Sequence, residues 1–290
     1  MINLLAILSL IRIKQWVKNL IVFIPLFFDG SLLQLPNLKI AIIGFVVFCL
    51  MSSIVYIIND IRDKSADQKH KTKKFRPLAS GAISIQNAYL IIIGLFAALS
   101  AIYYITPWDL GFTQILLLYL AINLAYSFYF KAQPILELFF VASGFVLRLF
   151  AGAVILDLTL SPWIIMCTAS ASLLLVTGKR RADIALNNDK DLQRKSLARY
   201  NLAFLDNILS IVSSVTLTSY LLFCFSDYGI AKFGQYLGIT IIPAAIILIR
   251  FNQAVLVDIQ GDSPTDLIIH DQLMRNTLII WSIIFAILIY

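Results

Sequence analysis

Apolar runs long enough to cross a membrane recur from one end of this 290-residue chain to the other, and no other feature restricts the fold as much. A hydrocarbon layer of about 30 Å needs roughly 20 helical residues. Such runs cover about residues 16–34, 38–58, 88–105, 112–130, 135–155, 161–178, 206–226, 234–250 and 272–290, which predicts about nine spanning helices. The first is the most interrupted, by Lys18, Asn19, Pro25 and Asp29. Backbone polar groups in lipid must be satisfied within the chain, so the expected fold is an all-α polytopic membrane bundle; barrel strands would be shorter and would alternate. Composition agrees, with 60% hydrophobic and 13% charged residues and a mean hydropathy of +0.87, outside the soluble range. No soluble domain is left over, and residues 1–290 read as one membrane domain. The opening MINLLAILSLIRIK lacks a cleavage-type site and reads as an interfacial helix, not a signal peptide. Cys49, Cys167 and Cys224 fall inside apolar runs without metal-type spacing and read as packing residues.

Lys and Arg set the orientation, because cytoplasmic loops retain positive charge. With the N-terminus inside, the cytoplasmic face receives Arg12, Lys14, Lys18, the stretch from Arg62 to Arg76, Lys131, the stretch from Lys179 to Arg199, Arg250 and Arg275. Lys39 and Lys232 fall outside, and Arg148 lies within a span. The net charge of +7 is therefore gathered on one face, suited to anionic lipid headgroups or a phosphorylated substrate, and no nucleic-acid module is recognisable.

Where the second apolar run ends, the chain reads NDIRDKSADQKHKTKKFRPLASG from Asn59 to Gly81. Asn59 with Asp63 and Asp63 with Asp67 are spaced i, i+4, and Asp60 with Asp63 is i, i+3, so a continuing helix places all four on one face. Like charges at that spacing destabilise a helix unless something compensates them. Mg²⁺ is suited to it, because it takes one or two carboxylates together with substrate phosphate oxygens. Lys71, Lys73, Lys74 and Arg76 follow at once and supply cations for the same phosphates. The plain alternative is a solvated loop whose charges pair among themselves. Three carboxylates on one face at a membrane interface favour the metal-diphosphate site.

The pattern Asn59-Asp60-x-x-Asp63-x-x-x-Asp67 resembles the first signature of the UbiA superfamily of intramembrane prenyltransferases, and about nine spans with that motif after the second is the superfamily's layout. Gln15-Trp16-Val17-Lys18-Asn19, Phe75-Arg76-Pro77, Ser143-Gly144-Phe145 with Arg148, Gly178-Lys179-Arg180-Arg181-Ala182-Asp183 and the segment from Gly261 to Arg275 are more similar to its decaprenyl-phosphate phosphoribosyltransferase branch than to its aromatic prenyltransferases. The resemblance implies Mg²⁺-dependent transfer of phosphoribose from phosphoribosyl diphosphate to a polyprenyl phosphate at the bacterial cytoplasmic membrane. Asn59, Asp60, Asp63 and Asp67 would hold the metal, with Asp60, Asp63 and Lys18 catalytic. Lys18, Asn19, Lys73, Lys74, Arg76, Tyr126, Lys131, Arg148, Lys179, Arg180 and Asp183 would bind substrate. A homo-oligomer is compatible with all of this.

Plainer roles stand beside several of these. Lys179, Arg180 and Arg181 suit a helix C-terminus and the charge rule as well as they suit phosphate. Arg148 is costly inside a span and should face the bundle interior, either as a functional cation or in a structural contact with a carbonyl or with Glu137, which is eleven residues earlier on about the same face. Lys18 and Lys131 can snorkel, and Tyr126 can be an interfacial anchor. Asp183 is followed four residues later by Asn187 and not by a second carboxylate, with Asp189 and Asp191 at other spacings. That departure counts against an aromatic prenyltransferase using a prenyl diphosphate, the nearest rival; a lipid or metabolite transporter is disfavoured because no internal repeat is evident.

Overall fold

The computed structural model describes residues 3–70, 72–186, 199–260 and 264–290. Lys71, Asn187, Asp189, Asp191 and residues 261–263 lie outside the described residues. The chain begins with α1 (Leu4–Leu10), a 3₁₀ segment (Ile13–Phe23) and α2 (Ile24–Asp29). It continues through α3 (Leu35–Lys69), α4 (Ile85–Ile105), α5 (Leu110–Phe128), α6 (Leu136–Ile155), α7 (Pro162–Leu186) and α8 (Leu202–Cys224). It closes with α9 (Asp227–Phe233), α10 (Ile241–Leu256), α11 (Pro264–His270) and α12 (Gln272–Ile289).

Among the described residues eight helices are long and apolar enough to cross a membrane: α3 to α8, the stretch Gln235–Leu256 that ends in α10, and α12. The first expected span is not one of them. Arg12 sits in the left-handed region (φ 53°) and breaks α1 from the 3₁₀ segment, and Pro25 starts the short α2. After Arg12 come 11 residues of 3₁₀ helix, then the 6 residues of α2. At about 2.0 and 1.5 Å rise per residue that segment reaches about 31 Å, the thickness of a hydrocarbon layer.

Side chains start the spans. Ser84, Asp109, Asn201 and Asp271 each accept a hydrogen bond from a backbone N–H in the first turn of α4, α5, α8 and α12. Apolar side chains such as Leu90, Ile93, Ile211 and Ile287 are widely exposed along these helices, as lipid-facing surfaces require and a soluble surface would avoid.

Two compact units divide the chain, residues 1–129 with 147–159 and residues 130–146 with 160–290. The core of the first gathers Val47, Phe48, Met51 and Ile54 of α3, Leu116 and Tyr119 of α5 and Leu147 and Ala151 of α6. Gly152 lets α6 touch the 3₁₀ segment, because a Cβ there would lie 2.0 Å from the Val22 carbonyl oxygen. In the second unit Leu174 of α7, Leu209 of α8 and Phe251 and Val255 of α10 form one core, and Leu138, Val176, Tyr200 and Leu205 form another.

Candidate active site

The helix α3 outlasts its apolar run. It continues to Lys69, so the predicted acidic face exists, with Asp60 and Asp67 buried and Asp63 half-buried between them. The loop after α3 folds back over this face: the His70 ring nitrogen accepts from the backbone N–H groups of Thr72 and Lys73, and Gln68 donates to the Ala79 carbonyl. That return brings Arg76 onto the carboxylates. Its Nη1 donates to Asp60 Oδ1 at 3.1 Å and to Asp67 Oδ2 at 2.7 Å. Arg12 donates to the same Asp60 oxygen and stacks over the Tyr56 ring at 4.9 Å. Asn59 Oδ1 accepts from the Ser127 hydroxyl at 3.2 Å, tying the motif to the end of α5.

The 3₁₀ segment braces this face from the interior. Three residues per turn put Trp16, Asn19, Val22 and Pro25 on one edge, and Asn19, Val22 and Pro25 are buried. Trp16 Nε1 donates to the Ser53 hydroxyl at 3.1 Å, and Asn19 Nδ2 donates to Cys49 Sγ and the Ser52 hydroxyl. Asn19 Oδ1 accepts from Arg148 Nε at 2.6 Å, while Arg148 Nη2 donates to the Tyr119 hydroxyl at 3.0 Å. The guanidinium lies about 5 Å from the Phe48 and Tyr119 rings. Asn19 is fully buried and Arg148 nearly so. Asn19 and Arg148 form an internal polar bridge whose partners satisfy a charge inside a span.

In the second unit, Arg180 meets the Glu137 carboxylate as a fork, Nε to Oε1 at 2.6 Å and Nη2 to Oε2 at 2.7 Å, and its Nη1 donates to Asp183 at 3.1 Å. Arg181 donates to Asp206 at 2.9 Å and to the Val255 carbonyl at 2.7 Å. Arg180 and Arg181 are buried. Desolvated cations at this depth need carboxylates, and they take Glu137 and Asp206. The suggested contact of Glu137 with Arg148 gives way to this one.

Of the remaining expected site residues, Lys18 is half-buried on the edge beside Asn19, Lys73 is half-buried, and Lys74 is exposed with its ammonium 5.1 Å from the Phe75 ring. Tyr126 is half-buried on α5 next to Ser127, and Lys131, Lys179 and Asp183 are half-buried in the second unit. Sequence reasoning gave Arg12, Tyr119 and Ser127 no part in the site, and Glu137 only a structural one toward Arg148. For Arg12 one signal existed, a cation four residues before Trp16, but nothing local tied it to Asp60, which is 48 residues away.

Whether Mg²⁺ fits can be judged from the cations that gather on these carboxylates. One positively charged nitrogen of Arg76 lies between oxygens from two carboxylates a helix stretch apart, and Arg12 crowds the same Asp60 oxygen. Hard, ionised oxygens converging on a cation are the donor set that Mg²⁺ takes. Among the described residues no three His, Cys, Asp or Glu side chains converge as a closed cage. A metal that shares its coordination with a substrate diphosphate does not need one.

The second unit also contains an apolar cavity of about 290 Å³ lined by Ala171, Leu175, Leu217, Ile247, Met274 and Trp281, among others. The polar groups beside it bond within the protein: Trp281 donates to the Tyr220 hydroxyl, which donates to Thr240.

Residues 25–270 match the UbiA prenyltransferase family. A decaprenyl-phosphate phosphoribosyltransferase of Mycolicibacterium smegmatis is 32% identical over 292 residues, covering 95% of this chain and 90% of that protein. One from Corynebacterium glutamicum is 30% identical over 290 residues, covering 98% and 87%. In fold, a UbiA homolog from Archaeoglobus fulgidus, solved bound to GPP and Mg²⁺, superposes with a TM-score of 0.70 at 20% identity over 98% of each chain.

Proposed function

This chain belongs to the UbiA prenyltransferase family, and on that premise we propose that it transfers a 5-phosphoribosyl group from phosphoribosyl diphosphate to a polyprenyl phosphate of the decaprenyl type, releasing diphosphate. It does so as a single membrane domain of the bacterial cytoplasmic membrane, with the reacting face toward the cytoplasm. Near full-length similarity to two phosphoribosyltransferases supports the choice of reaction. The bridging of Asp60 and Asp67 by Arg76 supports the place.

Mg²⁺ held by Asp60, Asp63, Asp67 and the Asn59 carbonyl would shield the diphosphate and make it a better leaving group. The protein's own groups do the rest. Arg12 and Arg76 already pair with anionic oxygens, and substrate diphosphate offers them equivalent partners at the same place. Lys73 and Lys74, on the same loop, spread the charge that grows as the bond from ribose C1 to the diphosphate oxygen breaks, and Lys18 and Tyr126 orient the bound anions. The new bond forms between C1 and an oxygen of the lipid phosphate. That oxygen is already ionised, so no base is required. In the second unit we assign Lys131, Lys179 and Asp183 to substrate binding.

Purified protein in detergent, given Mg²⁺, phosphoribosyl diphosphate and a polyprenyl phosphate, should yield a lipid that has gained the phosphoribosyl mass, and Asp63→Ala should abolish it. Product from prenyl diphosphate and an aromatic acid, with the first mixture inert, would move the protein to the aromatic branch.

A further inference from the structure

Arg12 has to be held by something that it does not exchange. Its bond to Asp60 is the one that a substrate diphosphate would replace, so that bond cannot also fix its place during the reaction. The backbone there does not help: Arg12 has φ 53°, in the left-handed region, which a side chain such as this adopts only where surrounding contacts enforce it.

Those contacts converge on one hydroxyl of the first unit. Ser53 Oγ donates to the Ile11 carbonyl at 2.8 Å and accepts from Trp16 Nε1 at 3.1 Å, so it ties down the chain on both sides of Arg12. The same hydroxyl hydrogen is shared with the Cys49 carbonyl of its own helix, also at 2.8 Å. Ser53 is fully buried. Positions 53, 56 and 60 of α3 are spaced i, i+3 and i+7 and line one face of the helix. Along that face Ser53 fixes the turn, the Tyr56 ring lies 4.9 Å from the guanidinium, and Asp60 accepts from it. At 1.5 Å rise per residue Ser53 stands about 10 Å from Asp60 along the helix axis, so it acts on the site through Arg12.

We infer that Ser53 is a positioning residue for the transfer reaction: its hydroxyl clasps the turn at Ile11 and Trp16, and so keeps Arg12 over the acidic face while the guanidinium moves from Asp60 to the diphosphate. This role rests on the proposed function, in which Arg12 pairs with the diphosphate. Without the hydroxyl, the Ile11 carbonyl and the Trp16 N–H lose their common partner, and the turn loses this tie to α3.

Thermal unfolding of the detergent-purified protein at fixed Mg²⁺ gives the inorganic diphosphate concentration for half-maximal stabilisation, and steady-state kinetics gives KM against kcat for phosphoribosyl diphosphate. Wild type, Ser53→Ala, Arg12→Gln and the double variant are compared. Ser53→Ala should raise the diphosphate midpoint and the donor KM about tenfold, with a smaller change in kcat. Arg12→Gln should shift both by at least as much. Adding Ser53→Ala to it should change them by less than about twofold, because residues that act through one another are not additive. A Ser53 that only packs would lower the melting temperature of the free protein and leave midpoint and KM unchanged, or would multiply with Arg12→Gln as an independent site; either result overturns the proposal. If Ser53→Ala does not fold, Ser53→Cys decides, because it keeps the shape and weakens both hydrogen bonds. A midpoint raised severalfold, but not in the Arg12→Gln background, then supports the proposal, and an unchanged midpoint or one raised equally in both backgrounds refutes it. Should the midpoints rank as expected while wild type transfers no phosphoribose, the positioning role stands and the assigned reaction falls. Transfer by wild type with midpoints indifferent to Ser53 leaves the reaction and removes the role.

Discussion

Both units place arginines on carboxylates near the polar ends of long helices, but the two clusters differ in burial and in what they can exchange. In the first, the Arg12 and Arg76 side chains keep 21% and 27% exposure over carboxylates that are nearly closed off. In the second, Arg180 is as buried as the Glu137 that it meets. A part-exposed cation can leave a carboxylate for a phosphate at little cost, because water covers the change. A buried fork cannot, because either partner left alone is a desolvated charge. The first cluster is therefore built for exchange of partners and the second for holding a geometry.

The sharpest way to break this contrast is Asp60→Asn. Turnover should fall about 10²- to 10³-fold while the melting temperature in detergent hardly moves; a large loss of stability would make the first cluster structural too. Glu137→Leu should do the reverse in kind. It removes both fork bonds from a buried guanidinium and should cost about 3–5 kcal/mol of stability, seen as a lost or strongly lowered unfolding transition, and a variant as stable as wild type would count against the contrast.

Smaller effects sharpen it. Gly152→Ala places a methyl against the Val22 carbonyl and should destabilise by about 1–3 kcal/mol in thermal unfolding. Arg12→Gln removes an exchangeable cation and should lower turnover about tenfold with the fold intact, which steady-state kinetics would show. The smallest effect is expected where an ion pair only pins a helix start. The Arg250 guanidinium beside Asp271 holds that carboxyl below its usual range. A folded-state value below the unfolded one means that the pair stabilises at neutral pH and that the contribution fades as pH falls below about 4, through the lowered value. Asp271→Asn should remove about 0.2–1 kcal/mol of stability at pH 7 and flatten the acid side of the stability profile.

The acidic face was legible in the sequence because helical spacing alone converts Asn59, Asp60, Asp63 and Asp67 into neighbours. The first span was not, since an α-helical pattern was sought where three residues per turn set the buried edge of Trp16, Asn19, Val22 and Pro25. Read with that period, the same residues show which edge is buried, but not that Asn19 would be spent on Arg148.

What the sequence determined by itself is the membrane bundle, its spans from α3 onward and the acidic stripe, for these follow from hydropathy and from periods of a few residues. Only the tertiary structure decided which cation serves which carboxylate. Arg12 reaches Asp60 across 48 residues and Arg180 reaches Glu137 across 43. Identical charge pairs in a sequence are interchangeable until burial selects among them, because an ion pair gains most where water is excluded, and the chain alone does not say where that is.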